Sequence, residues 1–146
     1  MLTVEPQVVE EYVRTGKVKL VFRDVLNHGE RSERASEAAA SAGRQGQFWP
    51  MHALLFAEQP TVTDTPNAQL VPLMQRYAAT LPTLDQAAFA RSLAERATFA
   101  AIKAADAEQR KRGITSQPIF EIGQQRLLGL QSFEAMQKAI EAALKR

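Results

Sequence analysis

The sequence predicts an α/β fold that is mainly helical and forms one compact domain, and three observations carry that prediction. Its 146 residues are 45% hydrophobic and 23% charged, the composition of a globular chain long enough to bury a core unaided. From about residue 30 to 112, apolar residues recur at helical spacing. Only residues 17–24 and 118–128 read as strands.

Thr3 stands where a helix cap belongs, with Glu5 and Pro6 in the first turn, and Val4, Val8, Val9, Tyr12 and Val13 follow on one side until Gly16. The next run, KVKLVFRD, puts Val18, Leu20 and Phe22 on one face and Val21 on the other, a strand covered on both sides. Residues 35–42 are alanine-rich, 48–56 read as an amphipathic helix, and 70–79 and 87–112 read as further helices, with Pro60, Pro66 and Pro82 between them. Residues 118–122 and 125–128 flank Gly123-Gln124 as a hairpin. The last helix begins near Ser132 and predicts a buried stripe of Phe133, Met136, Ile140 and Leu144.

The net charge of +2 spreads eighteen basic against sixteen acidic residues, so nucleic acid is not a predicted partner. The densest basic stretch, Arg110-Lys111-Arg112 with Lys103, shares its helix with Asp106 and Glu108 and reads as a solvated helix end. No apolar run approaches the ~20 residues of a membrane span, and residues 1–11 lack the basic start and apolar core of a secretory signal. Neither a Gly-rich phosphate loop nor G-x-S-x-G occurs, and no cofactor or metal is predicted. Phe48, Trp49, His52, Leu55 and Phe56 are expected to face one core, with His52 a packed helix residue and His28 a turn residue. There is no cysteine, hence no thiolate.

Glu37-Ala38-Ala39-Ala40, Gln45-Gly46-Gln47-Phe48-Trp49, His52 and Leu54-Leu55-Phe56 together resemble the AAxxA, QGxFWxxHxxLF pattern of the DsbA-like thioredoxin family. Gly16-Lys17-Val18 with Phe22-Arg23-Asp24, then Leu84-Asp85 with Phe89 and Leu93, and finally Gly113-Ile114, Gln117-Pro118-Ile119-Phe120, Gly123 and Gly129 are similar to later family segments in the same order. The resemblance implies a thioredoxin-like fold with its N-terminal strand missing: residues 1–28 and 112–146 form an incomplete thioredoxin-like half, and 29–111 an inserted helical subdomain. It also implies a cis peptide at Gln117-Pro118 and a substrate-binding role for both residues, which would face an extended peptide or protein. Family members exchange disulfides through a Cys-x-x-Cys at a helix start, which would precede Thr3 here.

Three departures accompany the resemblance. Ser41 and Ser92 stand where some relatives carry extra cysteines, Gln117 stands where Thr or Val is commoner, and Val25-Leu26 replaces Phe-Pro. The chain therefore reads as a fragment or cysteine-free relative of a thiol:disulfide oxidoreductase, redox-inactive as given; the alternative is a non-catalytic module that binds peptide. Because Leu2-Thr3-Val4-Glu5 enters a helix with no approach of its own, an upstream segment holding an apolar strand and Cys-x-x-Cys is expected. In the family sheet that strand separates those resembling 17–24 and 119–122. Either these two close up and pair, or self-association through one of them supplies the edge, and self-association is the expectation.

Overall fold

The computed structural model describes residues 3–145. Among them α1 (Val4–Val8) runs on into a π-helical turn (Val9–Val13), followed by α2 (Glu30–Gly43), α3 (Phe48–Ala57), α4 (Gln59–Asp64), α5 (Asn67–Ala79), α6 (Gln86–Ala94), α7 (Phe99–Lys111), β1 (Ile119–Ile122), β2 (Gln125–Leu128) and α8 (Phe133–Leu144). Two compact units result, one of residues 1–23 with 113–146 and one of Asp24–Arg112. The junction falls before Asp24 rather than at residue 28 because Asp24 accepts a hydrogen bond from Ser36 and the Leu26 N–H donates to Asp106 at 2.9 Å.

In the first unit the Arg14 N–H bonds the Val9 carbonyl at 2.9 Å, and the N–H groups of Lys17 and Val18 both reach the Tyr12 carbonyl. Thr3 occupies the cap position of α1, but its hydroxyl makes no capping bond. Ser132 does cap α8, accepting from the Ala135 N–H at 3.2 Å. The core of this unit is Val8, Tyr12, Met136 and Ile140, with Val18, Phe120, Ile122, Leu127 and Phe133 packed around it. Leu144 does not complete the predicted stripe and is 43% exposed. At that level the hairpin turn covers its neighbour instead, since a Cβ on Gly123 would lie 3.1 Å from that of Ala143.

Residues 17–24 form no strand, which corrects the sequence reading. A ladder needs a neighbour, and the one sheet among the described residues holds only β1 paired with β2. The closed-up pairing of 17–24 with 119–122 is therefore absent. The expected alternation survives in burial, with Val18, Leu20 and Phe22 partly buried, but Val21 is 48% exposed, so the segment is covered on one side only.

The second unit is built around α2, whose buried Ala38, Ala39 and Ala42 let α3, α5 and α6 approach closely. Met51, Leu70, Leu73, Met74, Phe89 and Leu93 fill the core they enclose. Gln45 ties the α2–α3 turn to the start of α6, accepting from the Asp85 N–H at 2.8 Å and donating to the Asp85 carbonyl, while Gln47 donates to Thr83. Asp85 in turn caps α6 through the Ala88 N–H. The continuous helix predicted over 87–112 is two helices, broken at Arg96 with φ +50. Arg96 gives its Nε to Glu37, which is wholly buried, at 3.1 Å, and lays its guanidinium 3.5 Å from the centre of the Phe99 ring.

Trp49 also departs from expectation, being 40% exposed. Helix α3 is apolar nearly all round, so it has no single inward face, and Met51 and His52 take the buried positions. The predicted solvated end of α7 is a clasp in part: Arg110 pairs with Asp106 at 2.9 Å and donates to the Leu26 carbonyl.

Candidate functional site

The segment that leads into β1 alternates anchors with exposed backbone. Gly113, at φ +75, turns the chain, and Ile114 is buried behind it. Thr115, Ser116 and Gln117 are then exposed, and Pro118 is partly buried. The Gln117–Pro118 peptide is cis. The Pro118 carbonyl accepts from the Gly129 N–H at 2.9 Å, which makes it the last rung of the hairpin. The structure places the two residues that the resemblance assigns to substrate at the head of β1, Gln117 exposed and Pro118 partly buried.

The register fixes what this edge displays. Ile119 stands opposite Leu128, Phe120 opposite Leu127, Glu121 opposite Arg126 and Ile122 opposite Gln125. Since Pro118 bonds Gly129, the hydrogen-bonded pairs are 118/129, 120/127 and 122/125, and the backbone groups of Ile119 point away from β2. Phe120, Ile122 and Leu127 face the core, while the opposite face carries the 2.8 Å Glu121–Arg126 ion pair and Leu128, which is 67% exposed.

The sequence has no cysteine to place beside this edge. Tyr12 donates to Glu141 at 2.9 Å, and burial, with the Glu141 charge adding, raises its phenol above the ordinary value. His52 lies among the rings of Phe48, Trp49 and Phe56 in the other unit, where burial lowers its basicity. No group of three or more His, Asp or Glu among the described residues is arranged to hold a metal ion. None of the described helices is long and apolar enough to cross a membrane. One contact escaped prediction: the hydroxyls of Ser41 and Ser92 meet at 2.8 Å. The extra cysteines that the resemblance places at these positions in some relatives were the sequence signal for it.

A protein-family model described as thioredoxin matches residues 2–142. The chain belongs to the DsbA-like thioredoxin family. It is 24% identical over 143 residues to the disulfide bond formation protein D of Bacillus subtilis (strain 168), covering 96% of this chain and 63% of that protein. The crystal structure of oxidised BdbD from Bacillus subtilis superposes with a TM-score of 0.84 at 20% identity, over 99% of this chain and 78% of that one. The fold of this DsbA-like chain is therefore thioredoxin-like, and the chain spans under two thirds of the length of its curated relative.

Proposed function

We propose that these 146 residues are the polypeptide-binding body of a DsbA-like thiol:disulfide oxidoreductase, and that they bind an extended segment at Gln117 and Pro118 without exchanging disulfides themselves. The observation that carries this reading is the edge of β1: Gln117 is exposed, and the backbone groups of Ile119 point away from β2. An extended peptide recognises such an edge by adding a strand. Exchange itself needs a thiolate to attack sulfur, and no residue of the sequence supplies one.

A fluorescent ten-residue peptide of alternating apolar and polar residues tests the binding. Saturable binding is expected, together with its loss when alternate peptide nitrogens are methylated. Ile119→Pro deletes the outward N–H while leaving the hairpin rungs, and is expected to weaken binding about tenfold. Equal binding of the methylated peptide overturns the strand-addition reading. In a separate assay, the chain is expected not to accelerate the reduction of insulin by dithiothreitol; clear turnover by metal-free protein overturns the inactivity.

The backbone groups of Ile119 that point away from β2 also support self-association, through Ile119–Ile122 or through residues 17–24. Sedimentation equilibrium is expected to show a dimer at micromolar concentration, and a stable, cooperatively folded monomer removes this part of the proposal.

A further inference from the structure

A segment added to the edge of β1 meets side chains as well as backbone. Because the backbone groups of Ile119 point away from β2, an incoming antiparallel strand pairs one residue with Ile119 and the residue two before it with Glu121. Directly opposed residues put their side chains on the same face of a sheet, so both lie on the face of Ile119, Glu121, Arg126 and Leu128 and not on the core face. That outward face is ordered in rows across the hairpin. One row is apolar: Ile119, partly buried, stands opposite Leu128, which is 67% exposed. The next is charged, with Glu121 on β1 and Arg126 on β2 joined at 2.8 Å.

The order of the two charges gives the edge a sign. A strand beside β1 has Glu121 as its immediate neighbour, about 4.8 Å away between strands, and Arg126 at about twice that distance, so the carboxylate dominates there. A basic side chain at that position is attracted, and an acidic one is repelled. In the apolar row, a large aliphatic side chain covers Ile119 and lengthens the strip that ends on Leu128. A strand on the far side of the hairpin would meet Arg126 first. On that side, however, the outward-pointing Leu128 carbonyl is already taken by the Gln131 side-chain amide at 2.8 Å. Gln131 therefore disfavours addition at β2 and directs a strand to β1.

We propose that the β1 edge selects segments in which a basic residue is followed two positions later by a large aliphatic one, the first beside Glu121 and the second beside Ile119. This selection rests on the strand addition proposed above and names the class of polypeptide that it accepts. Its direction follows from the antiparallel register, so the same two residues in reverse order place the aliphatic side chain on the carboxylate and the cation on Ile119.

Fluorescent ten-residue peptides that differ only in a central tripeptide, Lys-Thr-Ile, Glu-Thr-Ile or Ile-Thr-Lys, test the selection by anisotropy on the 146-residue chain. Lys-Thr-Ile is expected to bind about fivefold more tightly than either of the others. Glu121→Lys and Arg126→Glu made together keep an ion pair across the hairpin but reverse its sense, and are expected to make Glu-Thr-Ile bind more tightly than Lys-Thr-Ile. Leu128→Ser is expected to weaken Lys-Thr-Ile about threefold while leaving the preference for Lys over Glu unchanged. Circular dichroism confirms that the variants are folded. Equal affinity for the three peptides, with methylation of alternate peptide nitrogens still weakening each, overturns the selection and leaves strand addition standing. A charge-swapped variant that still prefers Lys overturns the selection as well. Loss of the methylation effect, or the absence of saturable binding, overturns strand addition and the selection with it.

Discussion

Asp106 and Asp24 belong to the same helical unit and are pushed in opposite directions. Burial opposes ionisation of Asp106, but the hydrogen bonds from Arg110 and the Leu26 N–H outweigh it and hold the carboxyl below its ordinary value. Such a group contributes stability that is present above its unfolded pKa and is lost as pH falls through the lower folded one. Asp106→Asn is thus expected to cost about 2 kcal/mol at pH 7 and to flatten the acid limb of a urea-melt series below about pH 4. Asp24 is raised, by burial first and then by the Asp106 charge, against the Ser36 hydrogen bond. Its ionisation opposes folding as pH rises through its folded pKa, so Asp24→Asn is expected to raise Tm at neutral pH and to leave it unchanged in acid. The Ser41–Ser92 contact gives a third residue-scale prediction. Cysteines placed at both positions are expected to form a disulfide closing a 51-residue separation, worth at most about 4 kcal/mol and reversed by dithiothreitol.

At the scale of elements, those that announce themselves locally were legible. Asp85 and Ser132 sit at the cap positions that their residue types favour, and Gly123-Gln124 forms the turn of the hairpin. The break between α6 and α7 was not legible, because no Gly or Pro marks residues 95–98. A non-glycine residue at positive φ is held there by Glu37, 59 positions earlier, and no local pattern reports that pairing. Arg96→Ala is expected to destabilise the helical unit by about 3 kcal/mol in urea unfolding, because the wholly buried Glu37 then loses one of its two arginine partners among the described residues. Helix α3 misled for a different reason: when nearly every side of a helix is apolar, periodicity names no inward face, so the exposure of Trp49 had no signal.

At the scale of the molecule, the family was legible from the order of its motifs. Residues 117 and 118 were singled out only through that resemblance, since an exposed Gln before Pro carries no chemical signature by itself. In 17–24 the buried face of Val18, Leu20 and Phe22 was legible, but the strand itself and the expected cover over Val21 were not, since pairing and covering are properties of the neighbour and not of the segment. The two units also differ in what holds them. Among the described residues, twelve buried hydrophobic residues form the core of the helical unit and four that of the other. That inequality sets a hierarchy of opening. In deuterated buffer, the amides of α2 and α5 are expected to exchange slowest and those of the hairpin to exchange sooner, because local opening free energy follows buried apolar contact. Trypsin under native conditions is expected to cut first after Lys17, Lys19 or Arg23, all exposed on a segment without a ladder. The part of the chain proposed to receive an extended polypeptide is then also the part that breathes, so a bound strand would be read as protection of the hairpin amides while the helical unit exchanges unchanged.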